Sequence, residues 1–207
     1  MDTSVSGRDI GILGGTFDPP HIGHLIVASE ALWRLSLDEV RLVPARRPPH
    51  KPGEAQGTAR QRLTWTRALA ADQPGVTVAD DELHRDGPSY TVDTVTAMAR
   101  AEPTARLWFL MGSDQLETLP QWHEPDRILA TVRLGVVPRG DHTAAHVRAL
   151  AERIAPDRVD VVDAPRIDIS SSLVRQRIAA GWPIRHLVPP GVLRCLVSDG
   201  LVPSATV

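Results

Sequence analysis

The feature that most constrains this chain is a short apolar run, Ile10 to Leu13, stopped by Gly14-Gly15 and followed by apolar residues at helical spacing: Leu25, Ala28, Ala31, Leu32 and Leu35. A buried strand that enters a glycine turn and leaves as an amphipathic helix, from Ile22 to Leu35, has to lay that helix back across its own sheet. Val40 to Val43, ended by Pro44, reads as the next strand. Strand, helix and strand in that order form a βαβ unit, with parallel strands and a right-handed crossover. The alternation continues with a helix at Arg60–Ala71, a strand at Val76–Ala79, and a helix at Val92–Ala101 that Thr91 is placed to cap. Strands at Leu107–Met111, Leu134–Val137 and Val159–Val162 are interleaved with helices at Asp126–Ala130 and Ala144–Ile154. A helix capped by Ser170 or Ser171 and ending at Gly181 follows, then one from Pro190 to Ser198.

Such alternation predicts an α/β fold with a doubly wound, Rossmann-like, mostly parallel sheet in a single domain, here residues 9–202 behind a flexible tail of residues 1–8. A chain of 207 residues suits one well-packed domain. In these sheets ligands bind beyond the carboxyl ends of the strands, where strand order reverses, so residues just after strands are the ones to inspect.

Charge narrows the function classes. Twenty-three basic against 25 acidic side chains give a net charge of -2, so no global field favours nucleic acid, and phosphate chemistry has to use locally placed cations. The single Cys195 excludes an internal disulfide and falls in an apolar run (Val192, Leu193, Leu196, Val197), where a buried structural thiol is expected. No apolar stretch approaches the roughly 18 residues of a membrane span, and Met1 to Arg8 lacks a signal-peptide core. The expected setting is the cytoplasm, with neither membrane nor nucleic acid as partner; a homo-oligomer is left open.

Three constellations carry chemistry. The first is Gly14-Gly15-Thr16-Phe17-Asp18-Pro19-Pro20-His21-Ile22-Gly23-His24, between the first strand and the first helix. Glycines let the backbone approach a polyphosphate, and a helix N-terminus offers N–H groups and a positive dipole end. His21 and His24 lie about one turn apart and can face one anion, with Gly23 leaving room for a ligand above the helix start. The spacing is neither Gly-x-Gly-x-x-Gly nor Gly-x-x-x-x-Gly-Lys-Ser/Thr, which argues against a pyridine-nucleotide dehydrogenase and a P-loop ATPase. The second is Ile169-Ser170-Ser171-Ser172-Leu173-Val174-Arg175, a helix start with hydroxyls and a cation one turn in, which makes a second anion cradle. The third comprises Ser89-Tyr90-Thr91-Val92-Asp93-Thr94, Met111-Gly112-Ser113-Asp114-Gln115-Leu116 and Leu119-Pro120-Gln121-Trp122-His123.

The first string resembles the signature of the nucleotidyltransferases built around His-x-Gly-His, and the second resembles their Ile-Ser-Ser-Thr-x-Ile-Arg element, with Ser172 and Val174 as mild departures. With the third group and the segment Pro44 to Lys51, the chain resembles the bacterial nicotinate mononucleotide adenylyltransferases from Ile10 to Leu201. The resemblance implies Mg²⁺-dependent transfer of AMP from ATP to nicotinate mononucleotide, releasing pyrophosphate. It implies ATP contacts for Gly14, Gly15, Thr16, Phe17, Gly23, Asp114, Ile169, Ser170, Ser171 and Ser172, with His21, His24 and Arg175 as the catalytic set. Trp122 would stack on the pyridine ring, and backbone amides near Thr91 and His123 would hold its carboxylate beside Tyr90. Asp114 would contact a ribose or orient the reacting phosphates. Lys51, in the Pro/Gly/Arg-rich loop Ala45–Gly57 that also holds Arg46, Arg47 and His50, and Arg139 after the Leu134–Val137 strand, are candidates for the acceptor phosphate. No dedicated protein metal cage is expected.

Trp33, Trp65, Trp108 and Trp182 are assigned to packing, and His84 to Asp86 to a polar turn. The rival readings are a pantetheine-phosphate adenylyltransferase, which shares the first and last motifs, and a catalytically silent nucleotide-binding regulator on the same fold.

Overall fold

The apolar run near the N-terminus becomes a central strand. In the computed structural model, which describes residues 7–47 and 55–203, β1 (Asp9–Gly15) lies between β2 (Glu39–Pro44) and β4 (Arg106–Gly112). With β3 (Val76–Val78), β5 (Arg133–Val137) and β6 (Val159–Val161) the sheet has the order β3-β2-β1-β4-β5-β6, and every pairing is parallel. Strand order therefore reverses between β1 and β4, and a crevice opens beyond their carboxyl ends. The expected single-domain, doubly wound architecture is the observed one.

Both faces are covered because the strands are apolar on both sides. On β4, Trp108 and Leu110 enter one core, while Leu107, Phe109 and Met111 enter the other. The first core is closed by α1 (Ile22–Arg34), α2 (Ala59–Ala70), α7 (Ser171–Ala179) and α8 (Pro190–Ser198), through Ala28, Trp65, Val174 and Val192. The second is closed by α3 (Thr91–Ala101), α4 (Ser113–Thr118), α5 (Pro125–Thr131) and α6 (Ala144–Ile154), through Val95, Leu116, Ile128 and Val147. The entry to β1 is tied down by an Arg8–Glu39 ion pair at 2.6 Å and by the Asp9 amide donating to the Asp38 carboxylate at 2.7 Å. Among the described residues no helix is long and apolar enough to cross a membrane.

Several local expectations are corrected. Helix α3 begins one residue early: Tyr90, in extended conformation, is the cap residue, and its carbonyl accepts from the Asp93 and Thr94 amides, so Thr91 is the first helical residue rather than the cap. The segment after β4 is helical from Ser113, and 3₁₀ turns at Asp81–His84 and Leu119–Gln121 were not anticipated, being too short to show periodicity. Trp65 and Trp108 do pack in the core, but Trp33 is 83% exposed and Trp182 59% exposed. Trp33 falls beside Glu30 and Arg34, which pair with each other on α1, and away from the buried Ala28–Ala31 stripe. Trp182 stands in the turn after α7, beneath the Arg177 guanidinium. Cys195 packs against the first core but is only half-buried, and burial, followed by Asp199, raises its thiol pKa.

Candidate active site

The turns leaving β1 and β4, on either side of the reversal, border one cavity of about 890 Å³. At one end the chain leaves β1 through Thr16 and Phe17; Phe17 takes a left-handed conformation (φ 51°), and its buried ring lies 4.7 Å from that of His24. His21 is the extended cap residue of α1. His24, three residues on, accepts the His21 amide proton on Nδ1 at 3.1 Å, the part Glu or Gln plays in a capping box. That bond fixes the tautomer: neutral His24 carries its proton on Nε2, as a donor. His21 is 6% exposed, its ring lies 3.9 Å from the His24 ring, and its Nδ1 has no hydrogen-bond partner among the described residues.

Two expectations about this turn change. A Cβ on Gly23 would stand 2.9 Å from His21 Nδ1, so the space that glycine leaves is filled by the imidazole rather than by a ligand. The Ile22 amide donates to the Leu187 carbonyl at 2.9 Å, so the start of α1 offers fewer free N–H groups than a bare helix end. Electrostatics changes the character of both rings. Burial, reinforced by the positive charge of Arg139, lowers the His21 pKa to about 4. Burial, then His21 and Arg139, hold His24 well below the ordinary histidine value, against the His21 amide bond that raises it. Both are therefore neutral near pH 7 and act as fixed dipoles, not as cations.

The late motif meets this turn directly. Ser170 caps α7 by accepting the Leu173 amide at 3.1 Å. Ser171 Oγ donates to the Pro19 carbonyl at 2.9 Å across 152 residues of sequence. Arg175 Nη1 donates to the Asp18 carbonyl at 2.7 Å, and its Nη2 donates to Ser172 Oγ at 3.2 Å. His21, His24, Ile169, Ser170, Ser171, Ser172 and Arg175 thus border one space with Gly14, Gly15 and Thr16.

Beneath it lies an arrangement that reading the sequence missed. Asp18 is buried and accepts the Gln56 and Gly57 amides, each at 2.9 Å, while Arg175 stands 3.7 Å from its carboxylate. Arg62, on α2 and 2% exposed, donates to the carbonyls of Thr16 and Ala45 at 2.7 Å each, and of Gly57 and Arg46 at 3.2 Å each. Burial lowers its pKa, and Asp18 opposes that shift. A side chain on Gly57 would strike the Trp65 ring at 2.4 Å, so only glycine lets the loop return here. A signal for Arg62 was present: it shares helical spacing with Trp65, Thr66 and Leu69 on the buried face of α2, where a lone charge demands partners.

At the other end of the cavity stand Tyr90, Thr91, Trp122 and His123. Trp122 meets Phe109 edge-on at 6.1 Å, and its Nε1 donates to Thr118 Oγ1 at 3.3 Å; the Tyr90 and His123 rings lie 4.4 Å apart. Asp114 in the first turn of α4 and Arg139 just past β5 also line the cavity, 3.8 Å from each other. Arg46 is engaged with the Arg85 carbonyl and Asp86, and Arg85 pairs with buried Glu82, so the polar turn at 84–86 is a braced one. His50 and Lys51 lie outside the described residues.

Carboxylates reach the cavity from Asp18, Glu82 and Asp114 among the described residues. Asp18 is occupied as described, and Glu82 is bonded to Thr94 and paired with Arg85. Asp114, at 57% side-chain exposure, remains open to a hard divalent ion that takes its other ligands from phosphate and water.

Comparison with known proteins fits this geometry. The Cytidylyltransferase-like family matches residues 12–177. A probable nicotinate-nucleotide adenylyltransferase of Synechococcus sp. (strain JA-3-3Ab) is 41% identical over 89% of this chain and 90% of its own length. One from Roseiflexus sp. (strain RS-1) is 41% identical over 95% and 99%. The chain belongs to the nicotinate-nucleotide adenylyltransferase family. The fold agrees with that of the Plasmodium falciparum nicotinic acid mononucleotide adenylyltransferase complexed with NaAD, with a TM-score of 0.79 over 94% of this chain and 97% of that one at 18% identity. Within the family's shared fold, this member's glycine–histidine and serine–arginine turns are joined through Asp18, Arg62 and Arg175.

Two outcomes follow from this geometry. Arg62→Met leaves four loop carbonyls without their buried donor and is expected to cost about 3–5 kcal/mol, a Tm drop of roughly 10 °C by calorimetry; a Tm within about 2 °C of wild type would deny the clasp its role. His21 is neutral when folded and protonates near 6.5 when unfolded, so between 6.5 and 4 the unfolded state binds more protons. Its contribution is full above pH 6.5 and is lost as pH falls towards 4, amounting to roughly 3 kcal/mol. His21→Gln should accordingly show a shallower loss of stability than wild type in urea titrations between pH 7 and 4.5, and equal slopes would contradict the burial argument.

Proposed function

We propose that this chain transfers the adenylyl group of ATP to nicotinate mononucleotide, giving deamido-NAD and pyrophosphate, as a cytoplasmic step of NAD biosynthesis. The observation that carries the reading is the hydrogen-bonded convergence of the glycine–histidine turn and the serine–arginine turn on one cavity whose far end holds Trp122, Tyr90 and His123. That cavity is of the size that takes a substrate pair. Its aromatic end suits a pyridine ring better than a phosphopantetheine arm.

An oxygen of the acceptor phosphate attacks the α-phosphorus of ATP as the bond to the pyrophosphate oxygen breaks on the opposite side. Both reactants are already ionised, so neither a covalent intermediate nor a strong base is needed; catalysis consists of alignment and charge stabilisation. Neutral His21 and His24 hydrogen-bond the α-phosphate from the floor of the cavity. Arg175 and the first turn of α7 hold the departing β- and γ-phosphates, where a formal charge and unpaired amides are most useful. Arg139, with Lys51, neutralises the acceptor phosphate. The amides near Thr91 and His123 receive the nicotinate carboxylate while Trp122 stacks on the ring. Mg²⁺ arriving with ATP would be held by Asp114, phosphate oxygens and water, and supplies positive charge to the triphosphate.

Pyrophosphate release is expected with nicotinate mononucleotide in clear preference to nicotinamide mononucleotide and phosphopantetheine; preference for phosphopantetheine would overturn the assignment. His24→Ala should lower kcat by about 10²–10³ with the fold retained and Tm lowered by only a few degrees through the lost cap contact, and normal turnover in that variant would remove the site. Trp122→Ala should raise the acceptor KM roughly tenfold at unchanged KM for ATP, and an equal effect on both substrates would place the indole elsewhere.

A further inference from the structure

We propose that Glu117, His142 and His146 form a binding site for a borderline divalent transition-metal ion such as Zn²⁺, separate from the phosphate turns. Glu117 is on α4, His142 is in the turn before α6, and His146 is in the first turn of α6. One ligand atom from each lies within 4.8 Å of the others. Both imidazoles turn Nε2 towards the same Glu117 Oε1, at 3.7 and 3.6 Å. Ligands of a tetrahedral zinc ion at bond lengths near 2.1 Å stand about 3.4 Å apart, so small side-chain movements suffice to bring the three onto one ion.

The surroundings favour ligation. His142 Nδ1 is hydrogen-bonded to the buried Ser113 Oγ at 2.9 Å, the outer contact that holds a histidine with Nε2 facing a metal. The His146 backbone is fixed by its amide donating to Thr143 Oγ1 at 3.2 Å. The Glu117 and His146 side chains are 44% and 48% exposed, which leaves an entry path and positions for water. Two imidazoles and one carboxylate select zinc, cobalt, nickel or copper over magnesium or calcium. Ser113 Oγ also accepts the Arg139 amide at 3.0 Å, so the ion would sit behind the backbone of a cavity residue.

The test uses untagged, chelator-stripped full chain titrated with Zn²⁺ by calorimetry and with Co²⁺ by visible absorption. One equivalent should bind, and Zn²⁺ at about a hundredfold over its Kd should raise Tm by roughly 5 °C. His146→Ala and Glu117→Gln should each weaken binding at least tenfold, whereas the His21→Ala/His24→Ala double variant should bind as wild type does. Unchanged affinity in His146→Ala, or loss of binding in the His21→Ala/His24→Ala variant, would overturn the proposal.

Discussion

A guanidinium with no water around it has to be surrounded by acceptors, and in this protein the acceptors of Arg62 are the carbonyls of the very loops that shape the site. Irregular backbone cannot satisfy itself as helices and sheets do, and each buried carbonyl left alone is costly. Arg62 supplies donors to the exit of β1, the exit of β2 and the approach to α2 at once. Asp18 does the complementary work for the Gln56 and Gly57 amides and offsets the Arg62 charge across the same junction. Two opposite charges held among backbone dipoles hold the glycine–histidine turn in place, and Ser171 and Arg175 both reach across to that turn, at the Pro19 and Asp18 carbonyls.

The proposed catalytic groups divide the electrostatic work by position. Where, in the proposed reaction, negative charge would pass through the reacting phosphorus, the cavity presents imidazoles stripped of their charge by burial and already locked by the His21–His24 bond, so little reorganisation would be needed when a phosphate arrives. Formal positive charge is kept towards the cavity walls, on Arg175 and Arg139. Arg139 also keeps the histidines neutral, so the cation that would attract the acceptor and the dipoles that would hold the α-phosphate are coupled.

Much of this was legible because it is written in contiguous segments. The βαβ alternation, the glycine–histidine and serine–arginine turns and the aromatic pair Trp122–His123 are each a short stretch recognisable from its residue types, and the observed sheet order and cavity lining bring these stretches together. Asp18 stood in plain view within the first motif, but the Gln56 and Gly57 amides that it accepts and the Arg62 charge that it offsets are about forty residues on, and periodicity carries no information about such pairings. Gly23 invited a ligand above the helix and received an imidazole, because side-chain packing decides who fills a space that spacing merely leaves open. Trp33 shows the converse: a large apolar residue reads as core until its angular position on α1 places it beside Glu30 and Arg34.

The sequence by itself determined the fold class, the parallel sheet and which strand ends border the cavity, since those follow from local hydrophobic period and from residues adjacent in the chain. The family followed from the same residues. Tertiary structure alone decided the protonation of His21 and His24, the occupation of Asp18 by loop amides, and the burial of Arg62 among four carbonyls. The reason is physical: desolvation and hydrogen-bond geometry depend on what surrounds an atom from every direction, and most of those surroundings come from elements far away in sequence.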